Sequence, residues 1–129
     1  MNVDKCLKKN NLFIKQFRNG IARILILWII SCKKIHGYGI SIELNNFFNV
    51  FNDEEDSFNP AKIYPILKRM EEKELVKSEE GLSNNKKVKF HTITPKGLDF
   101  LNFIKTRWIK ILQHESWNEF FNDMTNSKI

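Results

Sequence analysis

The chain has 129 residues, of which 42% are hydrophobic and 28% charged, and its formal net charge is +6. This size and balance predict a folded globular protein with one substantial core, and they exclude both a disordered chain and an enzyme with a spacious cleft and lid. The sequence begins without an apolar run, so we expect no signal peptide. Its two cysteines are too few for a disulfide framework, so we expect both to be reduced and the protein to be cytoplasmic.

The positive charge is unevenly distributed along the chain. Residues 1–37 hold eight Lys or Arg against one acidic residue, and residues 59–97 hold nine against five. Residues 38–58 hold five acids and no Lys or Arg, whereas residues 98–129 hold four of each sign. The basic charge therefore belongs to two separate segments, and this favours a polyanionic partner over a membrane.

Two helices open the predicted structure. A short helix over Lys5–Arg18 is expected to end at Gly20, and a core helix follows over Ile21–Cys32. The apolar run in the core helix is ten residues long and contains Arg23, whereas about 20 apolar residues are needed to span a bilayer. We therefore predict a buried helix, no membrane association, and a core position for Cys32.

The middle of the chain predicts two further helices. One is expected over Tyr38–Phe48, and the acidic segment Asp53–Asp56 follows it in the most loop-like part of the chain. The next helix covers Asn59–Lys73, where Asn59 is the capping residue and Pro60 occupies the first turn, which accepts proline. Residues at spacings of four and three give this helix one buried stripe, made of Ile63, Leu67 and Met70.

The charges of this third helix run against the helix dipole. Its cations, Lys62, Lys68 and Arg69, precede the acids Glu71, Glu72 and Glu74 at its end. That order costs about a few tenths of a kcal/mol per residue. It is typical of a helix that presents its N-terminal half to an anion, but an ordinary solvated face explains the same charges equally well.

Two strands and a long helix complete the prediction. The strands are expected over Leu75–Glu79 and Lys87–Ile93, with a turn of seven residues between them. Thr94 caps the last helix, Pro95 occupies its first position, and the helix continues to about Met124. Its main apolar stripe comprises Leu98, Leu101, Ile104, Trp108 and Ile111.

The last helix carries more apolar residues than one face can hold. Beyond the main stripe there are Phe100, Phe103, Leu112, Trp117, Phe120 and Phe121. Such a helix has to be buried from two sides, by its own domain and by a partner. The predicted fold is mainly α with a small β-hairpin, a winged helix-turn-helix. We expect residues 1–93 to hold the N-terminal helix and a winged helix-turn-helix of the DNA-binding kind, and residues 94–129 to form a long dimerisation helix and tail.

Four sequence motifs follow one another between about residues 22 and 112. They are His36-Gly37-Tyr38, Asn59-Pro60-Ala61-Lys62-Ile63-Tyr64-Pro65, Lys86-Lys87-Val88-Lys89-Phe90-His91 and Thr92-Ile93-Thr94-Pro95-Lys96-Gly97. In order and spacing they resemble the H-G-Y, S-P-G-T-L-Y-P, R-P-R-K-Y-Y and R-L-T-x-x-G motifs of the PadR-type transcriptional regulators. The resemblance is to the small type, which has a single C-terminal dimerisation helix.

The chain departs from the family pattern at three places. Phe90 and His91 replace the two tyrosines of the wing, which removes any contact that their hydroxyl groups make. Glu74 replaces the glycine that usually follows the third helix, and this is costly if the φ angle is positive there. The loop that contains Asp53–Asp56 is a few residues longer than we expect for the family.

The resemblance implies a homodimeric repressor of transcription that binds double-stranded DNA. Two recognition helices, residues 59–73, would enter successive major grooves of a two-fold symmetric operator, about one helical turn apart. The basic wing, residues 80–91, would hold the DNA backbone or the minor groove. The implied contact residues are Asn59, Lys62, Tyr64 and Lys68 on the helix, and Lys86, Lys87 and Lys89 on the wing. Tyr64 fits a core aromatic residue nearly as well.

The resemblance also implies how the protein dimerises. The last helix would pair with the first helices of the partner through Leu101, Ile104, Trp108, Ile111 and Leu112. Counted from Gly97, Trp108 occupies the position of a tryptophan that stacks on planar aromatic ligands in some family members. One hypothesis is that Trp108 and its dimer mate bind an aromatic effector that loosens DNA binding, and the alternative is a packed interface without a ligand.

Other functional classes are less well supported by the sequence. It has no Gly-rich phosphate loop, no H-E-x-x-H and no C-x-x-C, so we predict no enzyme and no cofactor. Cys32 and His36 make half of a metal site that no second pair completes, so no metal is expected. Two alternatives remain: an architectural or replication-terminator-like DNA binder, and a protein-interaction module that uses the Asp53–Asp56 loop.

Overall fold

The computed structural model describes the backbone of residues 3–49 and 57–126 and the side chains of residues 15–49 and 57–126. Its helices are α1 (Val3–Cys32), α2 (Gly37–Phe48), α3 (Pro60–Glu72), α4 (Pro95–Gln113) and α5 (Glu115–Thr125), and its strands are β1 (Ile35–His36), β2 (Val76–Ser83) and β3 (Lys86–Ile93). The predicted class, mainly helical with a small antiparallel sheet, is confirmed. The acidic segment Asp53–Asp56 lies outside the described residues.

Helix α1 is continuous over 30 residues, so the predicted break at Gly20 is wrong. A glycine inside a helix costs about 1 kcal/mol relative to alanine but removes no backbone hydrogen bond. Burial of the following residues, each about 1.5–3 kcal/mol, outweighs that cost, and Ile26, Ile29 and Ile30 are at most 2% exposed. The helix extends past this buried stretch to Cys32, whose side chain is exposed, so its predicted core position is also wrong.

The core lies where α1 meets α2 and α3. Helix α2 contributes Ile40 and Leu44, which are fully buried. Helix α3 contributes the predicted stripe of Ile63, Leu67 and Met70, which is confirmed. Each helix therefore turns one apolar stripe inward, and this fixes which face of α3 remains available to solvent.

The sheet has three antiparallel strands in the order β1-β3-β2. The two-residue strand β1 was not predicted, because it is too short to show an alternating pattern. The predicted seven-residue turn is wrong, since β2 and β3 are joined by Asn84 and Asn85 alone. Both asparagines have positive φ angles, 52° and 65°, as a two-residue hairpin turn of this hand requires.

The C-terminal segment is helical to Thr125 but is not one helix. The backbone of His114 is extended, with ψ 132°, and separates α4 from α5, so the predicted continuous helix is wrong beyond Gln113. The His114 side chain caps α5, because its Nδ1 accepts a hydrogen bond from the Ser116 amide at 3.3 Å. No described helix is long and apolar enough to cross a membrane.

Candidate nucleic-acid interface

The start of α3 is fixed by its own cap and by α2. The Asn59 side-chain oxygen accepts a hydrogen bond from the Lys62 amide at 3.0 Å, which confirms the predicted N-cap. The buried Phe58 just before it is clamped by the Asn45 side chain, which accepts from the Phe58 amide at 2.7 Å and donates to its carbonyl at 2.9 Å. Ser41 donates to the same carbonyl at 2.9 Å. These bonds from α2 fix the direction in which α3 leaves the turn.

The outward face of α3 includes residues that were not predicted as DNA contacts. At about 3.6 residues per turn, the side opposite the buried stripe is centred on Ala61, Pro65 and Lys68, all of them exposed. Tyr64 and Lys62 lie on opposite flanks of this face. Ala61 and Pro65 were missed because an uncharged residue gave no functional signal in the sequence.

Tyr64 is not a core residue. Its side chain is 56% exposed, so the alternative of a core aromatic is wrong. One edge of the ring covers Gly37 at the start of α2, where an added Cβ would lie 3.3 Å from a ring carbon. Tyr64 is therefore held against α2 while most of its ring faces solvent.

Lys62 lies on the flank of α3 that faces α1. Its ammonium group donates a hydrogen bond to the Ser57 carbonyl at 3.2 Å. Together with Lys15, Arg18 and Asn19 of α1, it lines a small basic pocket beside Phe58. The two helices thus combine their cations near the N terminus of α3.

The wing presents its lysines on both faces. Lys86, Lys87 and Lys89 are all exposed on β3. Because successive strand residues point to opposite faces, Lys87 and Lys89 share one face, and Lys86 shares the other with Phe90. Phe90 is packed there against His36 and Lys34, with the Lys34 ammonium 5.1 Å from its ring centre.

A buried histidine connects the wing to α3. His91 is only 3% exposed, and neither of its ring nitrogens has a hydrogen-bond partner among the described residues. Its Nδ1 lies 3.7 Å from a carboxylate oxygen of Glu71 on α3. Burial lowers the pKa of this imidazole; Glu71 raises the pKa, and Lys89 and His36 lower it further. The sequence motif places His91 on the wing but contains no signal that predicts its burial.

The backbone at the end of α3 explains why the family has a glycine at the position of Glu74. Leu75 donates to the Met70 carbonyl and Glu74 to the Glu71 carbonyl, both at 2.9 Å, which is the Schellman arrangement that ends a helix. This arrangement places Glu74 at a φ of 61°, the left-handed region where the family's glycine would be unstrained.

The Thr-x-x-Gly motif joins α4 to that same turn. The Thr94 hydroxyl accepts from the Gly97 amide at 3.0 Å, which confirms the predicted cap, and it lies 2.6 Å from the Glu74 carbonyl to which it donates. Gly97 is required by close packing, because an added Cβ would lie 2.2 Å from the Leu75 carbonyl oxygen. The recognition helix, the root of the wing and α4 are therefore fastened together at one point.

The residues predicted to form a dimer interface are only partly covered in the single chain. Leu101, Ile104 and Ile111 are half-buried, whereas Trp108 is 46% and Leu112 61% exposed. The polar residues of α4 occupy roughly half of its circumference, and they are Lys96, Asp99, Asn102, Lys105, Thr106, Arg107, Lys110 and Gln113.

Within the residues whose side chains are described, no cluster of His, Cys, Asp or Glu has the geometry of a metal site.

A helix-turn-helix with a capped, outward-facing second helix, followed by a basic hairpin, defines a winged-helix DNA-binding fold. Residues 26–102 match the model of the transcriptional regulator PadR-like family, and the chain belongs to that family. The family predicted from the four motifs is thereby confirmed. No curated protein matches the chain in sequence at a significant level.

Solved structures of PadR regulators share the fold. A PadR-like transcriptional regulator from Bacillus cereus is 28% identical with a TM-score of 0.65, and the match covers 88% of this chain and 99% of that one. A PadR family regulator from Clostridium difficile is 29% identical with a TM-score of 0.63, over 78% and 98% of the two chains. PadR of Bacillus subtilis, solved in complex with operator DNA, is 22% identical with a TM-score of 0.54, over 64% and 45%.

Proposed function

We propose that this protein is a transcriptional repressor that binds a two-fold symmetric operator as a homodimer. The observation that carries the proposal is the solvent-exposed face of α3, which is free of core contacts and connected through β2 to a wing with three exposed lysines. A helix of about 10–12 Å diameter fits the DNA major groove, which is about 12 Å wide.

The geometry gives each candidate contact a distinct role. Ala61 and Pro65, at the centre of the exposed face, suit apolar contact with thymine methyl groups. Lys62 and Tyr64, on its flanks, suit contacts to bases or nearby phosphates. The Asn59 oxygen is already bound by the Lys62 amide, so its amide nitrogen is the group left to donate to DNA.

The remaining lysines contribute to the affinity for DNA rather than to sequence specificity. Lys68 on α3 and Lys86, Lys87 and Lys89 on the wing would each neutralise one phosphate. With four such contacts per protomer, the logarithm of the binding constant should fall with the logarithm of salt concentration with a slope of about −7.

Apolar surface on α1 supports the homodimer. On α1, Phe17 and Trp28 are 50% and 49% exposed and Ile24 lies half-buried between them, whereas the half-buried Ile21 packs against the core. Exposed apolar residues also follow α4, where they include Leu98, Phe103, Ile109 and Leu112. Two apolar faces of this size in one small chain need a partner, and a second copy supplies both.

Trp108 remains the candidate for an effector site. Its ring is nearly half exposed on α4, where a dimer would bring two copies close together. If planar aromatic dyes quench tryptophan fluorescence and Trp108→Ala removes the quenching, the effector hypothesis holds. Quenching that persists in Trp108→Ala, with Trp28 and Trp117 still present, would contradict it.

Fluorescence anisotropy with the protein's own upstream DNA tests the proposed interface. Loss of a base contact costs about 1–3 kcal/mol, and Lys62→Ala removes one from each protomer of the dimer, so binding should weaken by about 30-fold or more. Lys110→Ala removes the same charge from the polar side of α4 and should leave affinity unchanged. Equal effects of the two variants, or none from either, would contradict the assigned interface. A repressor should also lower transcription from that upstream region in a purified system.

An architectural DNA binder is the second candidate function. It would bind unrelated duplexes equally well, with the same steep dependence on salt, and would need no symmetric operator. A protein-interaction module would show weak duplex binding that Lys62→Ala does not change.

A further inference from the structure

A proline interrupts the hydrogen bonds of α3. The helix runs from Pro60 to Glu72, and Pro65 lies inside it, beyond the first turn. A residue in an α-helix normally donates its amide hydrogen to the carbonyl four residues earlier, but proline has no amide hydrogen. The carbonyl of Ala61 therefore lacks the hydrogen bond that would close this turn of the helix.

Burial on both sides of Pro65 keeps the helix continuous. A proline ring presses on the carbonyl four residues earlier, and this bends a helix or ends it. Ile63 and Leu67, two residues before and after Pro65, are 0% and 2% exposed. Their packing in the core favours the helical path although one backbone hydrogen bond is missing. The helix thus continues past an unused carbonyl acceptor.

This acceptor lies on the side of α3 that faces away from the core. A helix hydrogen bond runs nearly parallel to the helix axis, so the Ala61 oxygen lies between Ala61 and Pro65 on the helix surface. Both residues are exposed, at the centre of the outward face. Carbonyl groups on the solvent side of a helix tilt outward, and the proline ring pushes this one further from the axis. The oxygen is therefore available to a donor outside the helix.

The neighbouring side chains leave room for such a donor. Ala61 has only a methyl group and Pro65 a short ring, whereas the long side chains of Lys62 and Tyr64 lie on the two flanks. The centre of the outward face is therefore the place where another molecule comes closest to the backbone of α3.

Bonds within the helix do not use up this acceptor. The first turn of α3 is tight, because the Asn59 carbonyl accepts from the Lys62 amide at 3.0 Å and from the Ile63 amide at 3.3 Å. A Tyr64 amide shared with Ala61 in the same way would take only one of the two lone pairs of the Ala61 oxygen. The second lone pair remains available.

We propose that the main-chain carbonyl of Ala61 accepts a hydrogen bond from the exocyclic amino group of a cytosine or an adenine in the major groove. This rests on the proposed function, in which the outward face of α3 enters that groove. Amino groups are the only hydrogen-bond donors that bases present there, whereas guanine and thymine present acceptors. At one position of each operator half-site, cytosine or adenine should therefore be favoured over guanine or thymine. Pro65 is the specificity-determining residue, because it keeps the carbonyl unbonded.

Most neighbouring groups would give a different preference. Lys62 and the amide nitrogen of Asn59 are donors, so they favour the acceptors of guanine and thymine. The methyl group of Ala61 favours the methyl group of thymine. The Tyr64 hydroxyl is the other acceptor near this face, so its removal is a necessary control.

Selection of binding sites from a pool of randomised duplexes tests the proposal. The wild type should select sites with one position per half-site where cytosine and adenine are preferred over guanine and thymine by about fivefold or more. Pro65→Val keeps an apolar side chain of three carbons but restores the amide hydrogen that bonds to the Ala61 carbonyl. This variant should lose the preference at that position and keep the preferences at the others.

Two control variants leave the carbonyl unbonded. Ala61→Gly removes only the methyl group and Tyr64→Phe only the hydroxyl group, so both should keep the preference for cytosine and adenine. Urea unfolding tests the premise independently of DNA. Because Pro65→Val restores a helix hydrogen bond, its urea midpoint should be at least as high as that of the wild type. A lower midpoint would contradict the unbonded carbonyl.

The possible results separate this inference from the proposed function. If the wild type selects a defined site without such a position, or if Pro65→Val retains the preference, the inference is overturned although the protein still recognises a specific sequence. Loss of the preference in Tyr64→Phe would assign it to the hydroxyl group and overturn the inference as well. A wild type that selects no site would overturn both the inference and the proposed function.

Discussion

Replacing Gly97 with alanine tests how tightly α4 is fastened to the end of α3. The new Cβ would lie 2.2 Å from the Leu75 carbonyl oxygen and 2.7 Å from Ile93 Cγ1. Favourable contacts between such atoms lie near 3.5 Å, so the start of α4 has to move by about 1 Å. The same carbonyl accepts a hydrogen bond from the Thr94 amide at 3.1 Å and, at 3.0 Å, shares the Thr94 hydroxyl proton with the Glu74 carbonyl, and this movement would weaken both.

The expected loss can be estimated from these contacts. Forcing a methyl group into a packed site costs about 1–3 kcal/mol. Each of the two weakened hydrogen bonds contributes about 1 kcal/mol at most. Gly97→Ala should therefore lower the free energy of unfolding by about 2–4 kcal/mol.

Gly20→Ala is the matched control, because it makes the same chemical change where no atom lies within 4 Å of the added Cβ. In the middle of α1 it should raise stability by about 1 kcal/mol. Urea unfolding followed by circular dichroism measures both, at one fixed protein concentration because dimerisation adds to stability. Gly20 also lines an open groove between α1, α3 and α4, so the oligomeric state of this variant is measured alongside. Changes of the same sign in both variants, or a loss below about 1 kcal/mol for Gly97→Ala, would refute the reasoning.

Three further predictions follow from single residues. Glu74→Gly should raise the free energy of unfolding by about 0.5–1 kcal/mol, because a glycine is not strained in the left-handed conformation of residue 74. Glu74→Ala should give no such gain, and equal gains in the two variants would contradict this explanation. Because burial lowers the pKa of His91, the unfolded chain takes up a proton before the folded chain does. The free energy of unfolding should therefore fall as the pH drops below the ordinary histidine pKa of 6.5, down to the pKa of His91 in the folded state. In His91→Phe, urea midpoints should lack this part of the pH dependence. Lys87→Ala should weaken binding to operator and scrambled DNA alike and reduce the salt slope of a dimer by about 1.8. A loss confined to the operator would assign Lys87 to base reading instead.

The elements with strong local signals could be predicted from the sequence. Asn59-Pro60 and Thr94-Pro95 mark the starts of α3 and α4, because a capping side chain followed by proline satisfies the free amides of a helix N terminus. The buried stripe of α3 was equally readable from its spacing. These signals depend on residues close together in the chain.

The features that were missed depend on the balance between weak signals or on distant residues. No pattern of neighbouring residues shows that α1 continues through Gly20, because the outcome depends on how much apolar surface the following residues bury in the folded protein. The break at His114 contains neither glycine nor proline, and its capping histidine is unusual. Strand β1 exists only because β3 offers it a partner at His91 and Phe90.

The prediction of the candidate DNA interface relied on charge, so it found the lysines but not the uncharged residues. The lysines were found because charge is visible in a sequence, and all of those selected are exposed. Ala61 and Pro65 became candidates only when the buried stripe of α3 had been located, since their significance comes from position alone. The burial of His91 next to Glu71 joins residues twenty positions apart, which no local pattern indicates.

Sequence-specific recognition of DNA by this protein can be measured in a single titration. Fluorescence anisotropy would compare the protein's own upstream region with a scrambled duplex of the same composition at two salt concentrations. Sequence-specific recognition predicts binding to the upstream region at least about a thousand-fold tighter than to the scrambled duplex, two protomers per site, and affinities for both duplexes that fall steeply with salt. Equal affinity for the two duplexes, or no binding to either at low salt, would contradict it.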